Sequence, residues 1–392
     1  MDILYSKRFF YKLTVIIISL LINKNLVYIQ RTEFGLIKFP KNGHEIEYIT
    51  NFNLLKEKNS KDLFLSSFLK EISIISYDYT NKLNLNNNKI HIMVNLNDKY
   101  IYPLIVSIYS ALINSNKNKT TLIYHILCSK DLRKKNINKL KSLLFIFPTN
   151  LEMIFYNMGD TFIKFRNQKF SQVTYYRLLS PIFIPLNRII YLDSDVLIFH
   201  DLFEMFQLNF KDNYVLGFLD ILSGAVDYLG LISEKYINAG IILMNLEKIR
   251  KDEKHYELLY MALNHKNLKH QDQTIINYVL YPNIGLLPFK YGIFNFPSIF
   301  DIKYLYMKRI RQNIDLLELK EALKDPSIMH FVLCYPKVWY ENSKFNGVST
   351  RTGTLFNSKC EKFHKIWIRY AKNTPFFKEI MKKYKIKDKF PF

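Results

Sequence analysis

The chain has 392 residues, 49% of them hydrophobic, which supplies a sizeable core and allows one large domain or two to three smaller ones. Lys and Arg outnumber Asp and Glu by 56 to 34, and the resulting +22 suits anionic partners: phosphorylated donors, acidic membrane surfaces or nucleic acid. Nucleic acid is disfavoured by the lack of zinc-ligand spacing, of an Arg-rich tract and of an aromatic RNA-binding signature. Cys128, Cys334 and Cys360 are too few and too widely spaced for a disulfide framework or a metal motif.

At the N-terminus, Lys7, Arg8 and Lys12 precede the apolar run Leu13–Ile22. That run is too short for a bilayer of ~30 Å but matches a signal-peptide core; adding Phe9–Tyr11 and Leu26–Ile29 stretches it into a signal anchor. Residues 1–30 are therefore read as a signal peptide or anchor. This places the chain in the secretory pathway, at an ER or Golgi membrane with a lumenal catalytic domain, or on the cytoplasmic face if bacterial. The polar stretch 31–89 reads as a stem or linker.

Regular patterning starts at Ile90–Val94, a strand run. A helical pattern follows in "YPLIVSIYSALINS", then a strand in "TTLIYHILCS". "DLRKKNINKLKSLL" reads as a helix with Asp131 as N-cap, and "NLEMIFYN" as a third strand. Strands alternating with helices predict a mainly parallel sheet covered on both faces, with ligands beyond the carboxyl ends of its strands. "RIIYLDSDVLIFHDL" puts a buried strand, Arg188–Leu192, directly before Asp193 and Asp195. Two unpaired carboxylates are costly beside a buried strand, so a solvated turn or a shared cation must accommodate them. Hard divalent cations favour oxygen ligands and diphosphates, which makes a metal–nucleotide site the natural expectation.

Further on, "DLFEMF" reads as a short helix and "YVLGFLD" and "NAGIILMN" as strands. "LEKIRKDEKHYELLYMALNH" reads as one long helix and "QDQTIINYVL" as another. "IGLLPFKYG" and "SIMHFVL" read as late strands. The basic aromatic extension 341–392 carries Phe363, Trp367, Tyr370, Phe376 and Phe377 among many lysines. It reads either as a membrane-surface segment or as a helix packed on the domain with a solvated basic face.

Five ordered stretches within residues 90–340 resemble glycosyltransferase family 8, the retaining sugar transferases. They are "IHIMVNLNDKYIYPLIVSIYSAL", "YYRLLSPIFIPLNRIIYLDSDVLIFHDL", "YINAGIILMNLEKIR", "HQDQTIINYVL" and "IMHFVLCYPKVW". The resemblance implies an α/β fold: a single GT-A type nucleotide-diphospho-sugar transferase domain with a mainly parallel mixed sheet flanked by helices. It implies manganese held by Asp193, Asp195 and His330, a UDP-sugar donor, galactose or glucose as the sugar, and a glycan, lipid or protein acceptor. Lys337 would pair with the departing diphosphate. Asn97, Asp98 and Tyr100 would frame the uracil, with Ile101 or Tyr102 as alternatives to Tyr100. Arg177, Ser194, Asp220, Asn238, Ala239 and Gly240 would contact the donor.

Asp272 and Gln273 fall at the family's sugar-contacting pair. An amide at the second position is a poor nucleophile, which points to same-face substitution. Two departures stand out: Asn97 where the family often has Asp, and Leu333 where it usually has Gly, with Lys337 one residue further from His330. The competing reading is a non-catalytic, basic, membrane-associated binding protein that keeps the fold. Retention of all three metal-ligand types argues against it.

Overall fold

The computed structural model describes residues 16–22, 25–32, 35–39, 46–48, 72–77, 88–148, 150–163, 171–220, 235–264, 268, 270–295, 315–332, 337, 339 and 361–386. In chain order its elements are β1 (Ile16–Ile22), β2 (Asn25–Thr32), β3 (Gly35–Phe39), β4 (Ile46–Tyr48), β5 (Ser73–Tyr77), β6 (Asn88–Leu96), α1 (Ile101–Asn114), β7 (Thr120–Cys128), α2 (Lys134–Ile146), β8 (Leu151–Asn157) and α3 (Ser180–Phe183). Then come β9 (Arg188–Leu192), β10 (Val196–Ile198), α4 (Phe203–Gln207), β11 (Val215–Leu219), β12 (Ile237–Asn245), α5 (Leu246–Lys251) and α6 (Lys254–Asn264). The chain closes with α7 (Gln271–Leu280), β13 (Ile284–Leu286), β14 (Ile293–Phe294), α8 (Leu316–Lys324), β15 (Ile328–His330), α9 (Glu361–Lys372) and α10 (Phe377–Tyr384).

Two compact units form from interleaved segments, the first from within 1–97, 118–189 and 246–267, the second from within 98–117, 190–245 and 268–392. In the first, β6, β7 and β8 run parallel, with Ile92 opposite Tyr124 and Tyr124 opposite Met153. All nine residues of β7 are buried, the polar Thr120, Thr121 and His125 included, as in strands covered on both faces. β5 adds antiparallel to β8, and β4 to β5, so the sheet takes strands from the stretch read as a stem. A separate antiparallel sheet joins β1, β2 and β3. No helix among the described residues is long and apolar enough to cross a membrane.

Two sequence expectations need correction here. Asp131 does not cap α2: a turn closed by Leu132 N–H on the Ser129 carbonyl takes it up, and Arg133 stands at the N-cap position without a side-chain bond. The long helix expected after Asn245 is two helices, because Glu253 adopts a left-handed φ of 55° between them, and a left-handed residue ends an α-helix. Arg250, near the end of α5, donates to the carbonyls of Pro181, Ile184 and Leu186 at 3.2, 3.2 and 2.7 Å. It thereby ties down the turn where α3 ends, sharing the Ile184 carbonyl with the Leu186 N–H.

A buried polar chain crosses this sheet. His91 Nδ1 lies 3.0 Å from His125 Nε2, and His125 Nδ1 lies 2.8 Å from the Tyr156 hydroxyl. Burial, and then the charge of Lys89, push His91 down to about 4; burial, and then His91, push His125 well below its ordinary value. Both rings stay neutral in the fold while the unfolded chain takes up protons below the ordinary value of 6.5. Their contribution is complete above pH 6.5 and is lost as pH falls towards 4. The thermal midpoint should therefore drop between pH 6.5 and 5, and His125→Gln, which keeps a polar partner without titrating, should flatten that slope.

In the second unit, β11 pairs with β12 antiparallel and with β13 parallel, Val215 facing Met244 and Ile284. A smaller sheet orders β10, β15 and β14, with His330 opposite both Val196 and Phe294. α1 is buried along most of its length, and its Ser110 and Asn114 side chains bond the backbone of Ile198 at 3.0 and 2.9 Å. Residues 361–386 of the extension pack into this unit. Phe363, Trp367, Ile380 and Tyr384 are buried, and Trp367 lies 5.4 Å from Trp339, ring centre to ring centre. Packing accounts for those aromatics and leaves Lys362, Lys365, Arg369 and Lys372 exposed as the basic face.

Candidate functional site

The site grows from the end of β9. Asp193 follows Leu192 and its N–H donates to the Gly240 carbonyl at 2.8 Å, which holds the first carboxylate beside β12. Three residues on, β10 begins. Its antiparallel register with β15 sets Val196 opposite His330, and Phe331 N–H donates to the Asp195 carbonyl at 3.0 Å. Residues far apart in sequence thus meet through strand pairing.

His330 Nε2 lies 3.1 Å from Asp195 Oδ1 and 3.5 Å from Asp193 Oδ2. One ligand atom from each of the three falls within 4.8 Å of the others. Lys337 donates to Asp195 Oδ2 and lies 5.4 Å from the centre of the Trp339 ring. Trp339 in turn rests on Trp367 of α9, so the C-terminal extension buttresses the segment that carries Lys337. Phe218 and Phe294 wall the imidazole at 6.4 and 6.1 Å between ring centres.

Electrostatics match the geometry. Burial alone would raise Asp195, but the charge of Lys337 and the hydrogen bond and charge of His330 outweigh it and hold the carboxyl below its usual value. Burial alone would lower His330, but its bonds to Asp193 and Asp195 push it up to about 9. The protein concentrates negative charge here and answers it with a lysine and an imidazole. Two carboxylates and an imidazole in one ring are a fitting ligand set for a divalent cation. Asp193, the outermost of the three with its side chain 33% exposed, opens the ring to solvent.

Gly240 makes the ring possible. A Cβ there would stand 2.8 Å from both Asp193 Oδ2 and His330 Nδ1. The sequence points this glycine at the donor sugar; the structure packs it against two of the ring residues. Gly240→Ala should fold and weaken divalent-cation binding by about tenfold or more, the scale of disturbed metal surroundings, as read by manganese titration.

Beside the ring lies an amide cluster. Gln273 Nε2 donates to Asp220 Oδ2 at 2.7 Å, and its Oε1 accepts from Ala239 N–H at 3.0 Å and Asn238 Nδ2 at 3.3 Å. Asn238 Nδ2 also reaches Asp220 Oδ2 at 3.3 Å, and its Oδ1 accepts from Gly240 N–H at 2.9 Å. Asn277, one helical turn after Gln273, bonds both backbone groups of Ile237 at 2.8 Å and fixes the start of β12. Asp272 is buried in the first turn of α7, and Ser194 is buried between the two ring carboxylates.

Asn97 belongs to the first unit, as does Arg177, which is buried on a 3-10 turn with its Nε on the Thr174 carbonyl at 3.1 Å. Asp98 and Tyr100 occupy the turn before α1 in the second unit. Of the alternatives to Tyr100, Ile101 is fully buried, and Tyr102 donates to Glu379 at 2.8 Å and meets the Tyr384 ring edge-on. Leu333 lies outside the described residues. Sequence reasoning missed Tyr191, whose hydroxyl donates to Asp193 Oδ1 at 2.7 Å, and Asn277. Both were findable: Tyr191 shares a strand face with Asp193, and Asn277 a helix face with Gln273.

The mixed α/β fold is the one that GT-A type glycosyltransferases of known structure share. The chain belongs to glycosyl transferase family 8, whose model matches residues 91–343. It is 29% identical to the lipopolysaccharide 1,2-glucosyltransferase of Escherichia coli over 219 residues, 53% of this chain and 64% of that one. It is 26% identical to a putative glycosyltransferase of Haemophilus influenzae, over 74% of this chain and 86% of that one. Among solved structures, the bifunctional glycosyltransferase WbbM is similar at a TM-score of 0.59 and 20% identity, covering 76% of this chain and 52% of WbbM. The galactosyltransferase LgtC, in complex with donor and acceptor sugar analogues, is similar at 0.56 and 19%, covering 75% of this chain and all of LgtC. The chain thus spans about two thirds of the Escherichia coli relative's length and half of WbbM's.

Proposed function

We propose that the protein is a metal-dependent retaining hexosyltransferase that moves galactose or glucose from a UDP-sugar to a hydroxyl of a glycan, lipid or protein. The observation that carries this reading is the ring of Asp193, Asp195 and His330, with Lys337 buried against it. Two similar proteins support the two sugars, one a glucosyltransferase and one a galactosyltransferase. One borderline-soft imidazole among carboxylates favours manganese over magnesium.

A bound cation would offset the charge of the departing diphosphate. Lys337, mobile enough at its ammonium end to exchange one oxyanion for another, takes a phosphate oxygen as the sugar leaves. Asp220 and Asn238 hold the sugar's hydroxyls. Gln273 cannot serve as a nucleophile, since its carbonyl is bonded to Ala239 N–H and its amide nitrogen to Asp220. Asp220, the carboxylate nearest to it, is held by Gln273 and Asn238. The amide at the position matched to the residue beneath the reacting carbon disfavours double inversion. Attack from the leaving-group face follows, with the acceptor proton passing to the departing phosphate oxygen.

The test is UDP release from a panel of UDP-sugars, with manganese and with chelator. Metal-dependent hydrolysis of one donor is expected and names the sugar. Failure with every donor, together with no metal-dependent UDP binding, would overturn the reading.

A further inference from the structure

We propose that Glu379 of α10, acting through Tyr102, is a positioning residue for the turn Asp98–Tyr100 and so sets how tightly the chain holds the nucleoside of its donor. The inference rests on the UDP-sugar reading and, within it, on this turn as the contact for the base. The turn runs directly into α1, which starts at Ile101, so the turn and the helix start move as one piece.

The start of α1 lacks the usual local fastenings. Tyr100 stands at its N-cap position without a side-chain capping bond, and no acidic residue occupies the first turn. A helix start with neither device frays, because its first N–H groups have no partner within the helix. α10 supplies a fastening from the far end of the chain. Tyr102, in that first turn, is 6% exposed and donates its hydroxyl to Glu379 Oε2 at 2.8 Å. The Lys383 ammonium lies 4.9 Å from the centre of the Tyr102 ring, and the Tyr384 ring meets it edge-on at 6.0 Å. Glu379 and Lys383 stand one helical turn apart and so share a face of α10. A single side chain of α1 is thus held by a charge-assisted bond, a cation and an aromatic edge.

α10 is a firm base for this grip. Ile380 and Tyr384 are buried on it, the left-handed Lys385 closes it on the Met381 carbonyl, and Ile386 beyond is buried as well. Glu379 itself is exposed, and it is the one acid of α10, set among Lys378, Lys382 and Lys383. Core packing does not call for an acid there. The phenol of Tyr102, buried up to its polar tip, does.

A contact that orders the base turn acts on donor binding and leaves the chemical step alone, since ground and transition states carry the same base. The test uses the full chain with manganese and compares binding of UDP with binding of inorganic diphosphate, which has no base. Glu379→Ala should weaken UDP about fivefold, the factor that one hydrogen bond of ordinary net worth carries, and leave diphosphate unchanged. With a UDP-sugar, KM should rise while kcat stays as in the parent chain. Glu379→Gln keeps an acceptor and should restore most of the loss. Tyr102→Phe should match Glu379→Ala, and the double variant should be no weaker than either, the mark of one shared contact. Equal losses for UDP and diphosphate would make Glu379 merely structural and overturn the proposal, and so would no loss for UDP. Tyr100→Ala separates the levels. If it weakens UDP alone while Glu379→Ala does not, only the role of α10 falls. If Tyr100→Ala binds UDP like the parent chain, the turn is not the base contact and the inference falls while the UDP-sugar reading stands. A parent chain that binds no UDP with manganese would overturn both.

Discussion

Asp195→Ala should lose two properties at once, stability and cation-dependent UDP binding, and the two should be separable. Asp195 is buried between Lys337 and His330, with one oxygen on each. Deleting one partner of a buried pair leaves the other charge uncompensated, a cost of about 3–5 kcal/mol. Denaturant unfolding should show that loss. Adding Lys337→Met should recover much of it, since an apolar side chain of similar length needs no counter-charge in the same pocket. Binding should behave differently. The single and the double variant should both fail to bind UDP in a manganese-dependent way, because neither restores the missing ligand. If the single variant binds UDP with manganese as the parent chain does, the ring is not the metal site. If the double variant stays as unstable as the single one, the instability does not come from Lys337.

Much of this site was legible in the sequence, for physical reasons. The parallel order of β6, β7 and β8, and its cover on both faces, followed from strands alternating with helices. Asp193 and Asp195 stood out because a buried strand cannot end in two carboxylates without a reason. His330 was reached through a resemblance; the pairing of β10 with β15, which brings it to Asp195, is non-local and leaves no periodic trace.

What stayed hidden is of the same kind. Only Asp252 and Glu253 separate α5 from α6, with no Gly or Pro, so nothing in "RKDEKH" reveals that Glu253 turns left-handed. Asp131 has the chemistry of a cap, but the turn from Ser129 to Leu132 delays the helix past it. The aromatics of the extension fit a lipid surface or a protein core equally well on paper. Trp339 decides the matter for Trp367, and that contact spans residues no local pattern connects. Gly240 was noticed for closeness to a ligand, whereas its missing side chain makes room for Asp193 and His330.

The amide of Gln273 yields the second large effect, and it carries a pH signature. In the parent chain the amide donates to Asp220 at 2.7 Å and accepts from Ala239 N–H at 3.0 Å. Gln273→Glu keeps the shape and turns the donor into an oxyanion facing another carboxylate. Two carboxylates that close cannot both stay ionised, so one is driven to hold a proton well above its ordinary range. When the introduced carboxyl is protonated it reproduces the parent pattern: its O–H donates to Asp220 and its carbonyl accepts from Ala239. When it is ionised the pair repels, and Asp220 and the Asn238–Gly240 segment move off their positions. A displacement of about 1 Å in such a cluster costs about 100-fold in rate. The variant should therefore transfer sugar poorly at alkaline pH and recover relative to the parent chain as pH falls, because the repelling form is the deprotonated one. The ratio of variant to parent kcat/KM across pH 5.5 to 9 measures this directly. A ratio near one at every pH would mean that the Gln273–Asp220 bond does not organise the donor pocket. A low ratio that never recovers would mean that the amide nitrogen itself, through its second N–H, is what the sugar requires.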